Sequence, residues 1–261
     1  MIIIIFFIAH WYLSLFSQTF FDHRYASHRA FTMSKFWERF FYVFAYITQG
    51  TSYLSPRAYA ILHRMHHAYT DTEKDPHSPK YFSNLFVMMW HTRNVYSAIL
   101  NNTIKPEQQF LKNIPDWPVF DKIASSGISK ILWACAYTAF YIAYASSPWL
   151  FLLLPLTITM GPLHGAIINW FAHKYGYVNF KQKNTSKNLM PVDVFMMGEG
   201  YHNDHHQHPS NANFGVRWFE IDPVYYIILL FHKIHIVTLT SHSIASKLLL
   251  HEKNNDKKSG N

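Results

Sequence analysis

The sequence predicts an all-α integral membrane protein, in which transmembrane helices carry a cytoplasmic helical cap with a histidine-rich metal site. Hydrophobic residues make up 49% of the chain and charged residues only 15%, whereas an average soluble domain has about 25% charged residues. Apolar stretches of spanning length alternate with polar stretches that contain clustered histidines. We therefore expect one membrane domain over residues 1–251 and a polar, disordered tail over residues 252–261.

The first spanning helix is predicted at Ile2–Phe21. These 20 residues contain no Asp, Glu, Lys or Arg, and at about 1.5 Å per residue they reach roughly 30 Å, the thickness of the hydrocarbon core. The next apolar stretch, Phe36–Tyr53, is free of polar interruptions only over Phe40–Thr48, which is about half of a span. We expect this stretch to lie in the membrane interface, so that the chain stays on one side of the membrane.

A transmembrane hairpin is predicted at Ile131–Ala145 and Trp149–Phe171. Further on, Trp218–His251 has the pattern of an amphipathic segment that lies against the membrane. The resulting topology has three crossings, with the N-terminus outside and the histidine-rich cap in the cytoplasm. The net charge of +8 fits a basic cytoplasmic face and also leaves open an attraction for anionic lipid or a phosphate-bearing substrate.

Eight histidines in three groups form the candidate metal site. The groups are His23 and His28; His63, His66 and His67; and His202, His205 and His206. In the second and third groups the offsets i, i+3 and i+4 lie on one face of a helix. In the first group, a five-residue spacing turns the side chains about 140° apart on an ideal helix. That pair is therefore expected either to straddle a helix end or to serve two different metals.

These imidazoles are too many for one metal ion. Eight, or nine with His173, exceed the six ligands that a metal ion takes, so two metals are indicated. The groups contain no cysteine for an iron–sulfur cluster, structural zinc prefers four closed ligands, and neither HxxHH motif has the Glu of a metalloprotease after its first His. Two irons that bind oxygen fit best, at a membrane surface where they would oxidise a molecule of the bilayer.

In order and spacing, the three groups resemble the three histidine boxes of membrane fatty acyl desaturases, most closely the stearoyl-CoA delta-9 branch. The boxes are His23-Arg24-Tyr25-Ala26-Ser27-His28, His63-Arg64-Met65-His66-His67 and Gly198-Glu199-Gly200-Tyr201-His202-Asn203-Asp204-His205-His206. Asp75-Pro76-His77 and the pair Asn169 and His173 are also similar to that branch. The resemblance covers roughly residues 5–235. The animal members have two spanning helices before the first box, whereas this sequence has room for one.

The resemblance implies two iron ions held by the box histidines and His173, with Asn169 acting through water, and it implies no catalytic residue beyond these ligands. It also implies O2 as co-substrate and two electrons from a separate ferredoxin-like or cytochrome b5-like donor with its reductase, since the His-Pro-Gly-Gly of a fused haem domain does not occur. The expected reaction introduces a cis double bond, at delta-9, into a long-chain acyl-CoA or acyl lipid. A narrow bent tunnel would fix which carbon reacts.

Two other functions remain open. A hydroxylase or ketolase would use the same scaffold if oxygen traps the radical before a second hydrogen is removed. A histidine-rich membrane metal transporter would need polar groups within its spanning helices, and Ile2–Phe21 and Ile131–Ala145 offer almost none. We expect a multi-pass protein with a cytoplasmic-facing active site, in a bacterial inner membrane rather than the endoplasmic reticulum, that contacts membrane lipids and no nucleic acid.

Several polar residues near the boxes have two possible roles. Glu199 and Asp204 either accept hydrogen bonds from imidazole N–H groups or are charges at a helix end. His77 and His208 are expected in loops or in support of the ligands. His164, on an apolar helix, is expected to be a packing residue whose polar atoms are satisfied.

Overall fold

The computed structural model of this chain describes residues 1–240. Its α-helices are α1 (Ile2–Ser17), α2 (Lys35–Gln49), α3 (Pro56–Tyr69), α4 (Leu85–Leu100), α5 (Pro118–Ala124), α6 (Gly127–Tyr144), α7 (Leu153–Ile158), α8 (Met160–Ala166), α9 (His202–Gln207) and α10 (Pro223–Lys233). Its strands are β1 (Phe31–Met33) and β2 (Val237–Leu239). A first π-helix (Gln18–Ser27) follows α1, a second (Ile167–Phe171) follows α8, and 3-10 helices occupy Gly50–Ser52, Gln108–Leu111 and Pro148–Leu152. The tail predicted at residues 252–261 lies outside the described residues.

The first predicted span is present and is longer than the sequence indicated. α1 and the first π-helix run on continuously as Ile2–Ser27, 26 residues that are long and apolar enough to cross a membrane. Ile4, Ile5 and Ile8 are about half exposed on its outer side, and an apolar outward face of this kind is typical of contact with lipid. The helix therefore carries the first histidine group directly at its C-terminal end.

The predicted hairpin differs from two straight helices. Pro148–Ile158 and Met160–Phe171 together have the length and apolarity of a span, but they are bent by 69° at the break between them. Proline at position 162 cannot donate to the carbonyl of Ile158 and would clash with it in a straight helix. That carbonyl instead accepts the Thr51 hydroxyl at 2.6 Å. Residues 1–240 thus contain one helix that could cross a membrane, or two crossings if the bent pair is one span, and the three-crossing topology stays a prediction.

α2 packs one face against α1 and leaves the other apolar face exposed. Ser34 caps its N-terminus by accepting a hydrogen bond from the Trp37 amide. The buried Phe41 ring lies 4.7 Å from the ring of Phe20, measured between centroids. The exposed apolar side chains recur at helical spacing: Phe36, Phe40, Val43 and Ile47. This two-sided apolar helix is consistent with the predicted interfacial position.

The described residues are mostly helical, as predicted, with one small sheet that the sequence did not indicate. β1 and β2 are antiparallel, and Phe31 lies opposite Leu239. β1 comes directly after the first π-helix, so the pair fastens the C-terminal part of the described chain to the segment that carries His28. α10 buries Val224 and Ile228, which confirms an amphipathic helix within the first half of Trp218–His251.

Candidate metal centre

Nine histidines from distant parts of the chain converge in two adjacent clusters. The five-histidine site contains His23, His28, His63, His67 and His205. The four-histidine site contains His66, His173, His202 and His206. Within each site, the candidate ligand atoms all lie within 4.8 Å of one another. The three groups predicted from the sequence therefore meet in one place, and the added His173 joins them.

Each HxxHH motif supplies both sites rather than one. On α3, His63 and His67 belong to the five-histidine site and His66 to the four-histidine site. On α9 the assignment is reversed. His202 and His206, four residues apart, belong to the four-histidine site, and His205 belongs to the five-histidine site. Residues four apart are stacked on one helix face, whereas their neighbour is rotated by about 100°. Two short helices can therefore build two sites side by side.

The first π-helix explains how His23 and His28 reach the same site. The amide of His28 donates to the carbonyl of His23 at 3.2 Å, which is the i to i+5 bond of a π-helix. A wider turn brings residues five apart to the same side, and the two ring centroids are 5.0 Å apart. His28 is also the C-cap of this helix. The pair thus straddles a helix end and serves one site, the first of the two alternatives.

Arg64 holds this helix end in place. Its Nε donates to the carbonyl of Ser27 at 2.8 Å and its Nη2 to that of Ala26 at 3.1 Å. Its Nη1 donates to the carbonyls of Phe110 and Lys112 at 3.2 and 2.6 Å. The fork of the guanidinium group therefore ties the turn before His28 to α3 and to the segment after α4.

The spacing of the ring nitrogens fits metal ions. In the five-histidine site, Nε2 of His205 lies 3.0 Å from Nε2 of His23 and 2.9 Å from Nε2 of His67. The Nε2 atoms of His28 and His63 are 2.7 Å apart. In the four-histidine site, Nε2 of His206 lies 3.1 Å from Nε2 of His66 and 3.1 Å from Nε2 of His202. The Nε2 atoms of His173 and His202 are 3.0 Å apart. Two nitrogens at about 2.1 Å from one metal ion and at right angles are about 3 Å apart. The donor set therefore suits two nitrogen-rich metal sites.

Burial keeps these imidazoles in the form that binds metals. Desolvation, and then the neighbouring imidazoles, hold the pKa of His63, His66 and His202 well below the usual histidine range. The same causes act on His28, His67, His205 and His206. A neutral imidazole offers a free lone pair to a metal ion, whereas a protonated one does not.

One carboxylate orients an imidazole in each site. Glu199 lies 2.8 Å from Nδ1 of His23 and also accepts the Thr19 hydroxyl. Asp75 lies 2.9 Å from Nδ1 of His66. Burial alone would raise the pKa of Glu199, but His23 and Arg24 bring it below its usual range, so the group accepts as a carboxylate. A carboxylate on Nδ1 fixes the tautomer that presents Nε2 to the metal, which settles the role left open for Glu199.

Asp204 does not orient an imidazole and instead lies in the first turn of α9, the second of its two predicted roles. Its Oδ2 accepts hydrogen bonds from Asn179 at 2.9 Å and from Asn188 at 2.8 Å, and neither partner is an imidazole. Burial and the nearby Glu220 raise the pKa of Asp204 to about 8. It also belongs to a buried polar network that fastens the loop before the third box to α9.

A cavity of about 600 Å³ lies beside both sites. His23, His63 and His202 line it, together with Asn169 on the second π-helix. Its apolar walls come from both membrane-type helices, from α3 and α4 and from the loop before the third box, and include Leu15, Ile158, Leu62, Met89 and Met196. Asn169 therefore faces the same space as the ligands, and its predicted role through water stays a prediction.

Two further histidines line the cavity, and their ring nitrogens have no hydrogen-bond partner among residues 1–240. His77 lies against His66, with ring centroids 4.1 Å apart, and neither of its ring nitrogens is bonded. His164 packs edge-on against Trp11 at 4.5 Å, and its ring nitrogens are likewise unbonded. The prediction that His164 packs is confirmed, whereas the prediction that its polar atoms are satisfied stays a prediction, since no protein atom among residues 1–240 bonds them. His208 lies near Phe180, with ring centroids 5.2 Å apart.

The family model described as fatty acid desaturase matches residues 1–238. The chain belongs to this family. It is 31% identical to the delta-9 desaturase-like 4 protein of Arabidopsis thaliana over 87% of this chain and 72% of that protein. It is 30% identical to delta-9 acyl-lipid desaturase 2 of the same plant, over 83% and 67% of the two chains. It is also 29% identical to an acyl-CoA 5-desaturase of Anemone leveillei, over 86% and 67%.

Membership makes the chain an oxidoreductase of fatty acid metabolism, as predicted, and places it in a membrane-bound family. The relatives named above come from plants, so the expectation of a bacterial inner membrane is not supported and is withdrawn. They also differ in double-bond position and in acyl carrier, so that neither follows from the family alone.

Proposed function

We propose that this desaturase introduces a cis double bond at delta-9 into a long-chain fatty acyl-CoA. The convergence of nine imidazoles in two sites beside a deep, mostly apolar cavity supports this proposal best. The reaction would consume O2 and two electrons from a separate donor protein. The active site would face the cytoplasm of a multi-pass membrane protein.

The residues that would hold two irons are the box histidines, His173 and, through water, Asn169. Bound irons would supply the activation of O2 and the oxidation of unactivated C–H bonds. The chain itself keeps the imidazoles neutral by burial, and Glu199 and Asp75 hold the Nδ1–H groups of His23 and His66 so that each Nε2 points inward.

The cavity would select the carbon that reacts. An acyl chain offers no polar group near its middle, so position along the chain can be measured only by the walls of a close-fitting channel. Leu15, Ile168 and Met196 give these walls an apolar surface, while His23 and His202 lie in the same cavity. The apolar walls would also exclude water from the reacting methylenes.

The carrier is proposed to be CoA because the cavity has a basic mouth. Arg93 and Lys130 both line it and are both solvent-exposed. Two cations at the opening suit the phosphates of an acyl-CoA better than an uncharged acyl lipid. The acyl-CoA 5-desaturase is one relative whose name specifies this carrier.

Expression in a host that makes no unsaturated fatty acids tests the proposal. The wild-type chain, supplied with a competent reductase system, is expected to produce a cis-monoene with its double bond at carbon 9. His66→Ala should abolish it, whereas His91→Ala, at an exposed histidine outside both sites, should not. Products that carry an added oxygen would instead identify a hydroxylase or ketolase. An unchanged fatty-acid profile from folded, iron-loaded wild type would refute the proposal.

A further inference from the structure

The loop from Lys174 to Lys187 is strongly basic and lies beside the four-histidine site. Its 14 residues include four lysines and no Asp or Glu. Lys181 and Lys183 are exposed, and within residues 1–240 neither forms a salt bridge. A groove of about 350 Å³ lies along the loop, with Lys181, Lys187 and Thr185 among its walls. The loop thus presents two lysines without salt-bridge partners among residues 1–240, beside a concave surface.

The same loop contacts a metal-site imidazole. Thr185 is exposed, and its hydroxyl lies 3.1 Å from Nδ1 of His173. The Nε2 of His173 is in turn 3.0 Å from Nε2 of His202. The exposed Thr185 therefore contacts a member of the four-histidine site directly.

The loop is also fastened rigidly to α9. Asn203, between two site histidines, accepts the amide of Phe180 at 2.8 Å and donates to the carbonyl of Ser186 at 3.1 Å. Its own carbonyl accepts the side chain of Gln182 at 2.7 Å. The amide of Thr185 donates to the buried Asp71 at 2.5 Å. A partner that docks on the loop would therefore be held at a fixed distance from the site.

The reaction needs such a partner, so the inference rests on the proposed function. Reduction of one O2 to two waters takes four electrons and four protons. The two C–H bonds that become the double bond supply two of each, and the other two electrons must come from outside. A soluble electron carrier must approach a metal site closely and leave again, and complementary charge is the means by which such transient complexes form quickly.

We propose that the loop 174–187 is the docking surface of an acidic one-electron carrier protein and that electrons enter at the four-histidine site past Thr185 and His173. The lysines set the rate of encounter, and the groove sets the orientation of the carrier.

The test uses the iron-loaded full-length chain and two prereduced acidic probes, the soluble haem domain of cytochrome b5 and a plant-type ferredoxin. Oxidation of each probe is followed by stopped-flow absorbance as a function of probe concentration and salt. For wild type we expect at least one probe to react, with a rate that falls as salt rises. Lys181→Glu with Lys183→Glu should slow the reaction at least about tenfold, while Lys181→Arg with Lys183→Arg should keep it.

A matched charge reversal at Lys105 and Lys122, which are exposed lysines outside the loop, should leave the rate near that of wild type. The proposal is overturned if the loop variant reacts like wild type, if the control slows equally, or if neither probe reacts while dithionite with methyl viologen reduces the irons. Probe oxidation without any monoene, even with viologen, would count against the proposed function and leave the docking surface standing.

Discussion

Replacement of Glu199 by Gln should weaken the five-histidine site more than the other. Glu199 is buried and touches one ligand of that site, His23 at 2.8 Å. Gln keeps an oxygen that can accept from Nδ1 but removes the negative charge and leaves an amide group beside the Thr19 hydroxyl. The change therefore tests electrostatic support of one imidazole with little change in volume.

The expected loss can be estimated from the contact. Removal of a carboxylate that orients a metal-bound histidine weakens metal binding by about 10- to 100-fold, or roughly 1.4–2.7 kcal/mol. Here the acceptor oxygen remains and four further histidines of the five-histidine site would hold the ion. We therefore expect the lower end, about tenfold or roughly 1.4 kcal/mol.

Asp75→Asn is the matched change at the four-histidine site, since Asp75 contacts His66 at 2.9 Å. Iron per chain is measured by mass spectrometry across a series of chelator concentrations. Each variant should lose iron from its weakened site in a separate step at low chelator, and wild type should not show this step. Mössbauer spectra of the half-depleted proteins should differ, because a different site survives in each. Identical residual spectra, or iron retention equal to that of wild type in both variants, would refute the reasoning.

Three further changes probe the scaffold and the cavity. Arg64→Lys keeps the charge but loses the fork that binds the carbonyls of Ala26 and Ser27. The free energy of unfolding should fall by about 2 kcal/mol and the Tm by roughly 4–8 °C. An unchanged melting curve would contradict this. Gly198→Ala should lower both the Tm and the iron content, because φ is +92° and a Cβ would lie 2.6 Å from Oδ1 of Asp222. Gly165 lines the cavity, so a bulky side chain there would shorten the space for an acyl chain. Gly165→Phe should therefore shift products toward shorter acyl chains, measured by gas chromatography, whereas Gly165→Ala, whose Cβ has 3.7 Å to its nearest neighbour, should not.

The sequence predicts well which histidines converge, because metal binding constrains side-chain chemistry directly. The i, i+3, i+4 offsets in His63-Arg64-Met65-His66-His67 follow from helix geometry, and the start of α3 at Pro56 is visible as a capping Ser followed by Pro. The apolar helix Ile2–Ser17 is predicted by composition alone. Convergence of the groups was predicted because several imidazoles must share each metal.

The remaining features depend on contacts that periodicity does not reveal. Assignment of His23 and His28 to one site required a π-helix, which an analysis in turns of 3.6 residues does not produce. The bend at residue 159 depends on Thr51, which is distant in sequence and binds the freed carbonyl. Asp75 could have been found, because a buried carboxylate nine residues after His66 is a common partner of a ligating imidazole. Thr185 left no such signal, since an exposed Thr in a loop is ordinary.

The shared helices make the two sites interdependent, and a double variant measures by how much. His66 and His67 are neighbours on α3 but serve different sites, and so are His205 and His206 on α9. An imidazole that loosens in one site therefore frees a backbone segment that positions a ligand in the other. In the double variant Glu199→Gln with Asp75→Asn, the affinity for iron should fall by more than the product of the fold-changes in the two single variants. The corresponding interaction energy is about 0.5–3 kcal/mol. Chelator titrations of the four proteins provide this cycle, and losses that simply multiply would show that each site is held independently.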